Sequence, residues 1–424
     1  MVPNWHHLGM VKPNSIRGKA LSFDTLAVHA GREDFSEMGV HAPPLDLSTT
    51  YPTGPLEEAT ASIDALASGG RPSGSFIYAR LHNPTVARYE SALASLEGAA
   101  AAVAFASGMA ALTAVLLAVR EKGKNHVVAV RPLYGGSDHL LEDGLLGHEV
   151  TFVTPEGIGA AIRLDTAAVI LETPGNPTLS LVDIEDAVRQ ANGVPVVVDS
   201  TFMTPVLQRP LELGAAMVLH SATKFLGGHG DVIAGIVAGS EEWATRLRKV
   251  RVATGAVLHP LAAFLLHRGL PTLPVRVRTA QDSARMLAER LARHPQVTSV
   301  HYPGLAGQDP QGLVGRQMAG PGSVLAFEMA GGFEAAGRVL GAVQLMVSAV
   351  SLGATDTLIQ HPAGLTHRCV TEEGRAATGI SESLLRISVG LEDPEDLWMD
   401  LEQALEKAEP AREAGRARAA VVVG

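Results

Sequence analysis

The chain has 424 residues, 46% hydrophobic and 18% charged, with a formal net charge of -10. That length implies two or more domains in a globular protein, and the acidic balance with scattered arginines excludes a nucleic-acid binder, which needs concentrated Lys and Arg. The single cysteine, Cys369, excludes an internal disulfide and a four-thiolate metal site, and it fits a reducing cytoplasm.

Residues 1–20 lack the apolar core of a signal peptide and read as a loose leader. From 21 to 75 the chain reads as irregular, because APPLDLSTTYPTGP is too rich in Pro and Thr to hold a long helix. Residues 1–75 are therefore expected to form a leader and an arm. NPTVARYESALASLEG then predicts a helix, with Asn83-Pro84 at its start and Gly98 at its end. Gly98 to Val119 carries no charge and is long enough to span a bilayer. Its alanine-rich first half and the Ser107-Gly108 break fit a buried strand, a tight turn and a buried helix better, so no membrane partner is expected.

Apolar bursts follow in HVVAVRP, EVTFVTP, AAVILETP, VPVVVDST, AAMVLHSAT and DVIAGIVAG, several separated by helical stretches such as Asp183 to Gln190. Near-continuous apolar strands between helices imply a mostly parallel sheet buried on both faces, giving an α/β domain over 76–259. HPLAAFLLHRGL and TAQDSARMLAERLARHP read as long helices. The short strands TSVHYPG, GSVLAFEMAG and LLRISVGL and a closing helix, DPEDLWMDLEQALEKA, complete a smaller α+β domain over 260–408. The tail 409–424 has no periodicity.

Open α/β sheets bind ligands beyond the carboxyl ends of their strands. There stand Ser107, Gly108 and Met109, opening a helix; Tyr134; Asn176; Asp199 with Thr201; and Ser221, Thr223 and Lys224. A helix N-terminus offers N–H groups to a phosphate, and hydroxyls add donors. A carboxylate holds a pyridine nitrogen protonated, a tyrosine stacks on a ring, and a lysine in a dry site forms a Schiff base. Together these are the parts that hold pyridoxal phosphate. Lys224 is the only lysine between Lys124 and Lys249. A metal hydrolase is a weaker reading: His220 and His229 lie in a glycine-rich stretch without a paired-histidine helix, and His361 reads as structural.

Through IYARLHNPT, ASGMAA, YGG, ETPGNPT, VVVDSTFMTPVLQRPLELGA, HSATKFLGGHGD, SLGATDTLIQHPAGLTH and LLRISVGLED, the chain resembles the pyridoxal-phosphate enzymes of cysteine and methionine metabolism. The likeness runs from about Thr25 to Leu405 and is closest to methionine γ-lyase, cystathionine γ-lyase and cystathionine γ-synthase. It implies an aspartate-aminotransferase-like (fold type I) large domain, a smaller C-terminal α+β domain, an N-terminal arm and a homotetramer. By the same resemblance, Lys224 is the Schiff-base lysine, Asp199 the pyridinium partner and Tyr134 the stacking, proton-trading tyrosine. Gly108, Met109, Ser221, Thr223 and Thr201 hold the cofactor, Tyr78 and Arg80 reach a neighbouring subunit's phosphate, and Asn176, Ser351 and Arg386 surround the cofactor oxygen and the substrate carboxylate.

The implied activity is γ-elimination on a sulfur amino acid, with γ-replacement as the alternative and a non-catalytic scaffold as a weaker one. Val350, before Ser351, suits a substrate without a distal charge. Two departures from methionine γ-lyases stand at Gly136, where they carry Cys, and at Val252-Ala253, where they carry Lys-Asp.

Overall fold

The computed structural model describes residues 15–16, 19–121 and 123–408; the leader before residue 15 and the tail 409–424 lie outside them. A short hairpin, β1 (Ser15–Ile16) and β2 (Lys19–Ala20), precedes the arm. The large sheet contains β3 (Ala101–Phe105), β4 (His126–Val130), β5 (Glu149–Val153), β6 (Thr166–Glu172), β7 (Val196–Asp199), β8 (Met217–His220) and β9 (Gly235–Gly239). Their order across the sheet is β3-β9-β8-β7-β6-β4-β5, and β9 alone runs against the rest.

The apolar runs read as strands because both faces are covered. Ala102 and Ala104 pack with helices Pro84–Glu97 and Pro260–Gly269, while Val103 and Phe105 pack with helix Gly108–Val119. That alternation is the two-residue period of a strand. The uncharged stretch 98–119 is thus a strand, a turn and a helix, and no helix among the described residues is long and apolar enough to cross a membrane.

Local chemistry sets the helix ends. Asn83 Oδ1 accepts from the N–H groups of Thr85 (3.0 Å) and Val86 (3.1 Å), Pro84 fills the first position, and Gly98 closes the helix at φ 66°. The outer edge of β3 is sealed by a buried ion pair. Glu90 Oε1 accepts from Ala104 N (2.8 Å), Arg251 donates to Ala104 O (2.9 Å), and Arg251 meets Glu90 at 2.5 Å. Both outward-facing backbone groups of Ala104 are thereby occupied, which blunts that edge against pairing with another strand.

The second sheet runs β10 (Val297–His301), β11 (Val324–Met329), β14 (Leu384–Ser388), β13 (Leu358–Gln360), β12 (Val347–Ser348), antiparallel except for β12 beside β13. Helices Leu273–Leu291, Gly332–Ala342 and Pro394–Ala408 share its core.

Three expectations change. Residues 21–75 are not irregular: they hold helices Phe23–His29, Phe35–Met38 and Leu56–Ala67. The last starts immediately after the Pro-rich stretch, carries Glu57 and Glu58 in its first turn, and buries Ser62 and Leu66. DVIAGIVAG yields strand only from Gly235, and helix Gly332–Ala342 with β12 and β13 appears where no element was expected. The two strands are too short, at two and three residues, to show a period.

Candidate active site

The carboxyl ends of β3, β4, β6, β7 and β8 carry the residues singled out from the sequence. β4 is flanked by β5 on one side and β6 on the other, so the chain order reverses there, the place where such sheets form a crevice. Lys224 follows β8. Its Nζ donates to Ser351 Oγ at 2.6 Å, and burial, with help from the Arg386 charge, lowers its pKa from 10.5 to about 8. A helix-like turn, Ser221 to Gly228, carries the lysine. Arg276 ties that turn down by donating to Phe225 O (2.7 Å) while also reaching Gly269 O (2.9 Å).

Asp199 ends β7. Thr201 donates to Asp199 Oδ1 through both its N–H (3.0 Å) and its hydroxyl (2.5 Å), and Ser221 N donates back to Thr201 Oγ1 (2.8 Å). Oδ2 receives no hydrogen bond among the described residues. Burial raises the Asp199 pKa against those hydrogen bonds; a positively charged nitrogen at the free oxygen offsets that cost.

Arg386 lies on β14 and is 2% exposed. Its guanidinium donates to Asn176 Oδ1 (2.8 Å) and Ser351 O (2.6 Å), with no carboxylate at ion-pair distance among the described residues. Burial lowers its pKa to about 10, still a cation at neutral pH. Ser351 has φ 88°, a conformation that costs a non-glycine residue of order 1–3 kcal/mol. It aims Oγ at Lys224 and the carbonyl at Arg386.

Helix Gly108–Val119 opens beside Ser221. Ser107 takes the N–H of Ala110 through its side chain (3.1 Å) and that of Ala111 through its carbonyl (3.0 Å), leaving Gly108 and Met109 as first-turn donors without an intrahelical partner. A Cβ at Gly108 would lie 3.0 Å from both Cβ and Oγ of Ser221. The glycine thus keeps open a cradle of backbone donors and one hydroxyl, which suits a phosphate. The Thr223 hydroxyl donates to Ala234 O (3.1 Å) and accepts from Ala234 N (3.0 Å).

The ring of Tyr134, 40% exposed, folds over Gly136, where a Cβ would lie 2.6 Å from Tyr134 Cε1. No hydrogen bond joins Tyr78 or Arg80 to these residues among the described residues. Tyr78 is exposed, and Arg80 lies over its ring at 5.6 Å while donating to Val252 O (2.8 Å). Val350 is exposed beside Ser351.

Two buried groups around the site were not singled out from the sequence. Glu172, at the end of β6, accepts from Tyr134 N (2.7 Å) and Asn176 N (3.2 Å). His367 Nε2 lies 3.2 Å from Asn176 O, and burial, then Arg386, lowers its pKa to about 4, so the ring is neutral and donates there. Glu172 stands inside the quoted ETPGNPT, but nothing local separates it from an ordinary strand-end glutamate. Of the other histidines, His220 is not a loop residue: it ends β8, fully buried, 2.5 Å from Glu97. His229 Nδ1 meets Gly227 O at 2.8 Å. His361 accepts from Gly364 N and donates to Glu382 O, leaving no ring nitrogen for a triad.

A cation-seeking carboxylate, a cradle of phosphate donors and a desolvated lysine thus gather at one edge of the sheet, the donor set pyridoxal phosphate requires. The model of the family described as "Cys/Met metabolism PLP-dependent enzyme" matches residues 24–406. L-methionine gamma-lyase of Brevibacterium sandarakinum is 56% identical over 390 residues, 92% of this chain and 98% of that one. The crystal structure of cystathionine gamma synthase from Xanthomonas oryzae pv. oryzae superposes with TM-score 0.84 at 36% identity, over 92% of this chain and 99% of that one. Cystathione gamma lyase of Micromonospora echinospora superposes with TM-score 0.81 at 40% identity, over 91% and 100%.

Proposed function

The chain belongs to the Cys/Met metabolism PLP-dependent enzyme family, and on that premise we propose that it eliminates the γ-substituent of a sulfur amino acid. Methionine is the first choice, giving with one water a 2-oxo acid, ammonia and a thiol. The single observation that carries this reading is the short path from Lys224 to Arg386. One residue, Ser351, takes the amine on Oγ and the guanidinium on its carbonyl, each at 2.6 Å. An amino acid whose carboxylate pairs with Arg386 therefore presents its Cα to Lys224.

Pyridoxal phosphate, when bound, supplies an aldehyde carbon for amines and a ring that withdraws electrons from the substrate's Cα and Cβ. The protein's residues do the rest. Lys224 would hold the aldehyde end of the cofactor, and its neutral amine would take the proton from the substrate's Cα. Its lowered pKa leaves an appreciable neutral fraction near pH 7. Asp199 would hold the ring nitrogen with the oxygen that Thr201 leaves free. The N–H groups of Gly108 and Met109 and the Ser221 hydroxyl would hold the phosphate. Tyr134 delivers a proton from its phenol to the departing sulfur. Arg386, oriented by Asn176, holds the substrate carboxylate in a dry pocket, where a charge-assisted pair is strong.

We read residues 76–259 as the cofactor domain and 260–408 as the second domain. We also read Tyr78 and Arg80 as completing the phosphate site of a second subunit in a homotetramer, since Tyr78 is exposed and Arg80 donates to Val252 O, and we assign the enzyme to the cytoplasm. A second reading, γ-replacement by an incoming thiol, draws support from Gly136 and Val252-Ala253 and from the likeness to a cystathionine gamma synthase. The test is to follow 2-oxobutanoate, ammonia and thiol release from methionine, cystathionine and O-acylhomoserines, with and without added sulfide. Reaction of acylhomoserine with sulfide, while methionine and cystathionine stay untouched, reverses the order of the two readings.

A further inference from the structure

We infer that Glu172 is a positioning residue that sets Tyr134 and the Asn176–Arg386 pair in register with Asp199. The inference rests on the cofactor reading above. Glu172 lies in β6 at the switch point, between β4 and β7. It pairs directly with Asp199 across the parallel ladder, so the two side chains leave the same face of the sheet. Its two oxygens divide between two loops: Oε2 accepts the N–H of Tyr134, beyond β4, and Oε1 accepts that of Asn176, beyond β6 itself. Asn176 then passes the constraint on through Oδ1 to Arg386. One carboxyl group, 5% exposed, thus fixes the backbone that carries the proton donor and the backbone that orients the carboxylate anchor.

A carboxyl group is required for this. Glutamine has one acceptor oxygen, and its amide would turn a donor toward the second backbone N–H. Aspartate keeps two acceptors on a stem one methylene shorter and cannot reach both loops. A core role alone would lower stability without separating kcat from KM. A positioning role moves kcat through Tyr134 and KM through Asn176 and Arg386.

The experiment uses the holoenzyme with whichever amino acid it turns over, so a wrong substrate assignment shows in the wild type and leaves this comparison intact. Glu172→Gln and Glu172→Asp are each expected to lower kcat at least 10-fold and raise KM at least 5-fold. Both are also expected to change the visible circular dichroism of bound pyridoxal phosphate, at an unfolding midpoint near wild type. In double-mutant cycles, the kcat loss of Glu172→Gln should largely disappear in a Tyr134→Phe background, and its KM effect in an Asn176→Ala background. Wild-type kcat, KM and dichroism in either folded variant would overturn the inference. So would additive cycles, or failure of both variants to fold, which would assign Glu172 to the core. If only Glu172→Gln fails to fold, the same readouts on Glu172→Asp decide.

Discussion

The lowered pKa of Lys224 has a direct kinetic consequence. An amine attacks an aldehyde only when neutral. A drop from 10.5 to about 8 raises the neutral fraction at pH 7 from about 0.03% to about 10%, roughly 300-fold. Apoenzyme mixed rapidly with pyridoxal phosphate and followed by its visible band should therefore bind cofactor at a rate that climbs with pH, is half-maximal near pH 8 and levels off above about pH 9. Arg386→Met removes a neighbouring cation and should move that plateau to higher pH. The same shift is a stability cost. Burial disfavours the ammonium, so below pH 8 the folded apoprotein carries a penalty that the unfolded chain lacks. It amounts to about 3 kcal/mol at pH 7 and fades between pH 8 and 10.5. Lys224→Met should remove it, making the apoprotein more stable than wild type at pH 7 but not at pH 10.5, by urea denaturation at each pH. An association rate that keeps rising to pH 10, together with a Lys224→Met apoprotein no more stable than wild type at pH 7, would refute the reasoning.

Other outcomes follow from single contacts. Gly108→Ala places a methyl 3.0 Å from Ser221 and should weaken pyridoxal phosphate binding at least 10-fold in equilibrium titration, with little change in apoprotein stability. Arg386→Lys keeps the charge but cannot reach Asn176 and Ser351 together while also pairing a carboxylate. It should lower kcat/KM on the order of 100-fold, mostly through KM. Asn83→Ala loses two hydrogen bonds at the start of helix Pro84–Glu97 and two more from its amide to Asp46 O and the Tyr51 hydroxyl, and should cost about 2 kcal/mol in denaturant unfolding while leaving kcat unchanged.

The sequence by itself determined whatever depends on neighbours a few residues apart. Asn83-Pro84 and Gly98 bound a helix because capping and left-handed closure are local. Ser107-Gly108 splits an uncharged stretch into strand and helix. The apolar runs showed that the sheet is buried on both faces, and therefore that Lys224, Asp199, Tyr134 and Asn176 share one edge of it. Tertiary structure decided what lies far apart in sequence. Glu172 gains its meaning from an N–H 38 residues upstream, and Arg276 from a carbonyl 51 residues away. Ser351 owes its place to a lysine 127 residues before it. The reversed direction of β9 and the pairing of β12 and β13 likewise depend on which strands lie beside them. Periodicity and capping reflect interactions within one turn or one strand, whereas a site's geometry is the closure of several distant loops on a common core, which no short window of sequence contains.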